Sequence, residues 1–143
     1  MRRKIKTTPF QREILWAMAD DGRVSLLALL KHLAMKFTSE SPNTLLQRTD
    51  RDIRVLEGHG CLYLIWQIGA EEKPVLYGPE RTTLQFNDLF RWDETSKHWK
   101  VEPRERAFTD LILQLTQGGV EVLDLISAQS SEPTPRWKPK ENS

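Results

Sequence analysis

The spacing of apolar residues changes at Gly58 and Gly60, and this change constrains the fold more than any other feature of the sequence. Before the two glycines, apolar residues recur every three or four positions, as they do in amphipathic helices. Directly after them, the run 61–68 (CLYLIWQI) favours a β-strand. The length of 143 residues suits one domain with a single core. The sequence therefore predicts an α+β domain in which helices precede a strand.

Three helices are predicted before this point, and each begins at a hydroxyl residue that can cap its first turn. These residues are Thr8, Ser25 and Ser41. A proline directly after the first and third of them strengthens the signal, because proline suits the first helical position. The helices are expected to run from 8 to about 19, from 25 to about 37, and from 42 to 57.

The third helix has a core face and a polar face. On a helical wheel its apolar residues and Thr49 fall within a sector of about 100°. Two arginines, an amide pair, a threonine and one acid occupy the other side: Asn43, Thr44, Gln47, Asp50, Arg51 and Arg54. We expect this polar patch to face away from the core.

Two β-hairpins are predicted after the third helix. The first pairs 61–68 with 74–77 through a polar turn at 69–73, which carries a charged tip. In the second, the apolar residues up to Trp92 pair with the alternating segment 98–101.

Residues 103–128 are predicted to be mostly helical. Pro103 opens one helix, Gly118-Gly119 breaks it, and a short last helix follows. The apolar positions that support these helices are Phe108, Leu111, Ile112, Leu115, Val120, Leu123 and Ile126. They either pack on the first helix of the same chain or form a homodimer contact through residues 103–128, and the dimer is slightly favoured.

The chain thus divides into four segments. A basic arm covers 1–7, a first domain 8–79, and a β-hairpin and helical extension 80–128. The Ser-, Pro-, Lys- and Glu-rich stretch 129–143 is typical of a disordered tail.

Three helices followed by a hairpin resemble the winged helix-turn-helix domain of bacterial transcriptional regulators. The resemblance is carried by 49–62, TDRDIRVLEGHGCL. In that family an Arg-Asp-apolar step near the end of the recognition helix is followed by a Leu-Glu pair, a glycine and an apolar strand. The similarity spans roughly 8–78 and implies an α+β winged helix with a C-terminal β-hairpin and helical extension.

The resemblance implies that helix 42–57 enters the major groove of double-stranded DNA, with the arm and the wing tip in support. Side chains near the start of the helix are expected to reach bases, whereas Arg51 and Arg54 contact phosphate or hold the fold. The predicted DNA-binding residues are Asn43, Thr44, Gln47, Arg48, Arg51, Arg54, Arg2, Arg3, Lys4 and Lys73. The function implied is sequence-specific DNA binding by a small transcriptional regulator.

The charges keep two other functions open. The chain carries a net charge of only +1, acids cancel the arginines along the third helix, and Glu71 and Glu72 flank Lys73 at the wing tip. Because acids oppose phosphate contacts, this pattern favours a protein–protein interaction module, either an adaptor or an inhibitor of a nucleic-acid machine. A third hypothesis is single-strand binding by Trp66, Trp92 and Trp99, although such residues more often pack on a sheet.

No motif predicts catalysis, a cofactor or a metal site. The three histidines are far apart and lack partners at ligand spacing, and no phosphate-binding loop or nucleophile elbow is present. The single cysteine, Cys61, excludes an internal disulfide and is expected to be a buried thiol. No apolar run has the length of a membrane helix, and no signal peptide is recognisable. We expect a cytoplasmic, non-enzymatic protein without membrane contact.

Overall fold

The computed structural model describes residues 6–76, 78–102 and 108–129. Within these ranges the helices are α1 (Pro9–Trp16), α2 (Leu26–Lys36), α3 (Pro42–Gly58), α4 (Pro79–Thr83), α5 (Phe86–Leu89) and α6 (Gln117–Gln129). The strands are β1 (Arg23–Ser25), β2 (Leu62–Ile68), β3 (Glu71–Pro74), β4 (Phe90–Asp93), β5 (His98–Val101) and β6 (Asp110–Leu115). The predicted α+β class is confirmed.

The three predicted helix starts are confirmed by their caps. Thr8 and Gln11 form a reciprocal capping box, in which each side chain accepts a hydrogen bond from the other's backbone N–H at 3.2 Å. The Ser25 hydroxyl accepts from the backbone N–H of Ala28, also at 3.2 Å, and the Ser41 hydroxyl accepts from that of Thr44 at 3.3 Å. These caps set where α1, α2 and α3 begin, and α3 ends one residue later than expected.

Four antiparallel strands form the main sheet in the order β1-β6-β2-β3. The hairpin of β2 and β3 confirms the first predicted hairpin, but its return strand begins at Glu71 instead of residue 74. The turn is therefore shorter than expected. Gly69 has a φ of 60°, which a tight turn needs and glycine tolerates. The second predicted hairpin is also confirmed, as a separate two-stranded sheet in which Trp92 lies opposite Trp99.

The prediction of a helix through residues 108–115 was wrong. Asp110–Leu115 is the strand β6, which pairs with β1 on one side and β2 on the other. Both faces of this short run are largely buried, so its apolar residues fit a helical stripe and a central strand equally well. The β1 strand that completes the sheet was not predicted.

This strand connects the predicted extension 80–128 to the predicted first domain 8–79. The strand β6 lies in the middle of the main sheet, between β1 and β2, and its removal would leave two rows of unpaired backbone groups. This position also leaves β6 unavailable for the homodimer contact predicted at residues 103–128. Residues 103–107 lie outside the described part of the chain, as do 1–5 and 130–143.

The last predicted helix is present as α6, but it contains the two glycines that were expected to break a helix. These glycines allow α6 to pack on the turn between α3 and β2. A Cβ on Gly119 would lie 2.3 Å from the carbonyl oxygen of Cys61, and one on Gly118 would lie 2.8 Å from that of Gly60. The α6 helix also contacts α1, so both ends of the described chain share one core.

We expect Gly119→Ala to lower the free energy of unfolding by about 1–3 kcal/mol, because the methyl group would overlap the backbone of Cys61. The measurement is urea denaturation followed by circular dichroism. Gly58→Ala is the matched control, since nothing lies within 4 Å of that Cβ. It should leave stability unchanged or raise it by up to about 1 kcal/mol. Equal stability of the two variants would contradict this account of α6.

Asp110 links β6 to the start of α2. Its carboxylate accepts hydrogen bonds from the backbone N–H groups of Leu111 at 2.8 Å and Leu27 at 3.4 Å. Burial raises the pKa of the Asp110 carboxyl, and the hydrogen bonds at this site oppose that rise only in part. Ionised Asp110 is therefore a net cost to the folded state.

The stability of the protein should consequently depend on the ionisation of Asp110. A raised folded-state pKa means that unfolding releases a proton, so the free energy of unfolding falls as pH rises from about 3.9, the usual aspartate value, through the folded-state value. Asp110→Asn keeps an acceptor oxygen but does not titrate, and should remove this fall. Urea denaturation at several pH values compares the two proteins. A stability difference that stays constant with pH would contradict the prediction.

Candidate nucleic-acid interface

The exposed face of α3 is a narrow polar stripe. Leu45, Leu46, Thr49, Ile53 and Leu56 turn towards the core and fix the rotation of the helix. Outward, the structure brings together four of the predicted DNA-binding residues, all of them exposed: Asn43, Thr44, Gln47 and Arg51. We call these four residues the α3 stripe. Asn43, Gln47 and Arg51 are spaced four residues apart, so they lie on successive turns along one side of α3.

Arg48 is not part of the stripe. Its guanidinium pairs with Glu40 at 2.7 Å and lies 4.3 Å from the centre of the Phe10 ring. It also faces Phe37, so it joins the loop before α3 to the apolar residues beside it. These contacts hold Arg48 in the fold and leave it poorly placed to reach a base.

Arg54 is held in the same way, one helical turn towards the C-terminus from Asp50. It pairs with Asp50 at 3.1 Å and donates to the backbone carbonyl of Leu84. Asp50 in turn accepts from the backbone N–H of Phe86 at 3.0 Å. Of the two roles expected for Arg54, the structure shows that it holds the fold.

A buried ion pair completes this contact between α3 and the segment 79–89. Nε of Arg81 lies 2.9 Å from both carboxylate oxygens of Glu57, and only 10% of each side chain is exposed. Arg81 also lies over the ring of Phe86. The segment therefore covers one flank of α3, along Asp50, Arg54 and Glu57. The sequence carried no signal of this, because the partners are far apart along the chain.

The acids of α3 do not face the stripe. Asp50 and Glu57 are engaged by the segment 79–89. Asp52 accepts from the side-chain amide of Gln11 at 3.2 Å, and only 7% of its side chain is exposed. Arg51 lies 3.7 Å from Asp52 but is 71% exposed, so its guanidinium can reach outward. The stripe thus carries a positive charge, although the helix as a whole is neutral.

The other predicted DNA-binding cations are Lys73 and the residues of the basic arm. Lys73 is exposed on β3, beside Glu72, which pairs with Arg23 at 2.8 Å. The predicted contacts from Arg2, Arg3 and Lys4 lie outside the described residues, while Lys6 of the same arm is exposed. Among the described residues, no hydrogen bond or ion pair joins Lys6 or Lys73 to the α3 stripe.

The tryptophans proposed for single-strand binding are packing residues. Trp66 is buried, lies 5.2 Å from the ring of Phe108 and donates to Glu80 at 2.8 Å. Trp92 and Trp99 pack edge to face, and neither presents a fully exposed ring. This observation removes the main support for the single-strand hypothesis.

Cys61 is buried as expected, and burial raises the pKa of its thiol, which disfavours the nucleophilic thiolate. Within residues 6–76, 78–102 and 108–129, no group of three or more His, Cys, Asp and Glu side chains could hold a metal ion. No helix in the same ranges has both the length and the apolar character to cross a membrane.

Comparison with known proteins gives no matching family model, no matching curated protein and no matching solved structure.

The contact between α3 and the segment 79–89 can be tested through its ion pair. Arg81→Met should lower the free energy of unfolding by about 3 kcal/mol, because it leaves the carboxylate of Glu57 buried without its partner. Thermal denaturation would show this as a midpoint lower by about 10 °C. The matched control is Lys97→Met, which breaks an exposed pair with Glu94 and should leave the midpoint unchanged. A similar midpoint for both variants would show that the 79–89 segment is only loosely attached.

Proposed function

We propose that this protein binds double-stranded DNA as a winged-helix protein, with the N-terminal half of α3 in the major groove. The observation that carries the proposal is the α3 stripe itself. It presents amide, hydroxyl and guanidinium groups outward. Asp50 and Glu57 are engaged by the segment 79–89, while Asp52 is buried, accepts from Gln11 and lies 3.7 Å from Arg51. Such donors and acceptors are what base reading in the major groove requires.

The arrangement of the fold supports the same proposal. Helices α1, α2 and α3 are followed directly by the hairpin of β2 and β3, which is the order of a winged-helix domain. The segment between β3 and β6 is an addition to the winged-helix order of elements. It reduces the surface of α3 that could contact DNA. Contact would be concentrated on the first half of the helix, which is also where recognition helices usually reach bases.

The roles within the stripe follow from side-chain chemistry. Asn43 and Gln47 suit adenine, since an amide can both donate and accept along one base edge. Arg51 suits guanine or a phosphate. With Arg48 and Arg54 engaged in the fold, the stripe has few charges for phosphate contacts, so we expect a shallow dependence of affinity on salt.

Arg51→Gln should weaken binding to a 30-base-pair duplex and reduce the slope of log affinity against log salt by about 0.9, the effect of one lost phosphate contact. Fluorescence anisotropy at salt concentrations from about 50 to 200 mM measures both quantities. Arg91→Gln removes an exposed arginine on β4 and serves as the matched control, with an unchanged slope expected. An unchanged slope for Arg51→Gln as well would exclude a contact between Arg51 and phosphate.

A protein partner is the second candidate function, and a specific observation favours it. The stripe continues into Val55, an exposed apolar residue, and Leu76 beyond β3 is exposed as well. Apolar residues beside a weakly charged polar stripe suit a protein surface better than a phosphate backbone. Absence of duplex binding even at about 50 mM salt would favour this function over DNA binding.

The homodimer contact through residues 103–128 remains a prediction, but fewer of those residues are available for it. With β6 inside the sheet, the contact would have to use the outer side of α6, where Leu125 is exposed. Light scattering at micromolar concentration tests it, since a monomeric mass would exclude the dimer.

A further inference from the structure

A pocket of about 480 Å³ lies between α2 and the hairpin of β4 and β5. Its volume falls within the range of small-molecule sites, which is about 300–1,000 Å³. The residues that shape it include Leu27, Ala28, Lys31, Met35, Trp92 and Trp99. None of them belongs to the α3 stripe, so an inference about this pocket does not depend on DNA binding.

The walls of the pocket are apolar and aromatic. Trp92 and Trp99 pack edge to face with their ring centres 5.3 Å apart. Across from this pair, α2 presents Leu27 and Met35, and the Met35 side chain is 74% exposed. Indole rings and a flexible thioether both pack well against a flat aromatic body.

The charged side chains that line the pocket are two lysines. Its titratable lining residues are Lys31, Lys97 and His98, and no carboxylate is among the lining residues. Glu94 lies beside the pocket, where it pairs with Lys97 and accepts from Nε1 of Trp92 at 2.8 Å. Lys31 is exposed and has no ion pair within the described ranges, so its charge is available to an anion.

Trp99 adds an unused donor. Its side chain is buried, and among the described residues its Nε1–H has no hydrogen-bond acceptor. A buried donor without an acceptor is unfavourable, and a ligand that supplies one removes that cost. Because Nε1 is itself covered, the indole has to tilt towards the pocket for an acceptor to reach it.

We propose that this pocket binds a small aromatic carboxylate. The aromatic body packs on Trp92, Trp99 and Met35, while the carboxylate lies near Lys31 and accepts from Nε1–H of Trp99. An apolar body matches the walls, and an anionic group that only accepts hydrogen bonds matches Lys31 and the Nε1–H of Trp99. A neutral ligand would leave the charge of Lys31 unused.

The experiment follows the indole Nε1–H signals of the full-length protein by ¹H–¹⁵N NMR during titration with 2-naphthoate. Five tryptophans give five such signals, and Trp99→Phe and Trp92→Phe assign two of them. We expect saturable shifts of the Trp99 and Trp92 signals, with the larger shift at Trp99. Absence of saturation up to millimolar ligand, or equal shifts of all five signals, would overturn the proposal.

Two variants test the roles of charge and space. Lys31→Met keeps the aliphatic stem and should weaken 2-naphthoate binding about threefold, the effect of one exposed charge. Lys36→Met, at the end of the same helix and outside the pocket lining, should leave the affinity unchanged. Ala28→Leu places a larger side chain in the pocket and should abolish binding while a leucine is tolerated in the helix.

The neutral analogue 2-naphthylmethanol separates the carboxylate from the aromatic body. It should bind more weakly than 2-naphthoate and should not respond to Lys31→Met. Equal affinity for the two ligands, or full binding by an Ala28→Leu variant with a native circular dichroism spectrum, would overturn the assignment. None of these results depends on duplex binding, so failure here and failure of the DNA proposal are distinguishable.

Discussion

The pairing of β6 with both β1 and β2 is the constraint on which the rest of the structure depends. The strand comes late in the chain but lies in the middle of the main sheet, and Leu111, Leu113 and Leu115 enter the core from it. Its backbone is hydrogen-bonded along both edges, so it cannot leave without exposing two rows of polar groups. For this reason the first and last described elements form one unit, with α6 packed against α1 and the turn at Gly60.

This topology also explains the two surfaces to which functions are assigned. The chain must leave the sheet after β3 and return to it at β6, and its path crosses α3 and α2. Where it crosses α3, the Arg81–Glu57 pair lies on one flank of the helix and keeps that flank from the proposed DNA contact. Where it passes α2, the Trp92–Trp99 hairpin forms one wall of the pocket. The segment between β3 and β6 therefore limits the exposed surface of α3 and forms one wall of the pocket beside α2.

The site could be predicted only in part, and the reason is electrostatic. Helical spacing placed Asn43, Thr44, Gln47 and Arg51 on one face, and they do lie there. A count of charges along α3 gave a neutral helix, whereas the folded helix buries Asp52 and Glu57 beside partners from α1 and α4. Arg48 and Arg54 counted as cations in the sequence but are engaged by Glu40 and Asp50 in the fold.

Local signals in the sequence determined the helix starts, the core face of α3 and the existence of both hairpins, because caps, periodicity and turn residues act over only a few positions. Tertiary structure alone decided that 110–115 is a strand, since a short apolar run takes the conformation that its neighbours can hydrogen-bond. It likewise decided which polar residues of α3 remain exposed and where Trp99 is buried. Those outcomes depend on contacts between distant segments, such as Glu57 with Arg81, that no local pattern encodes.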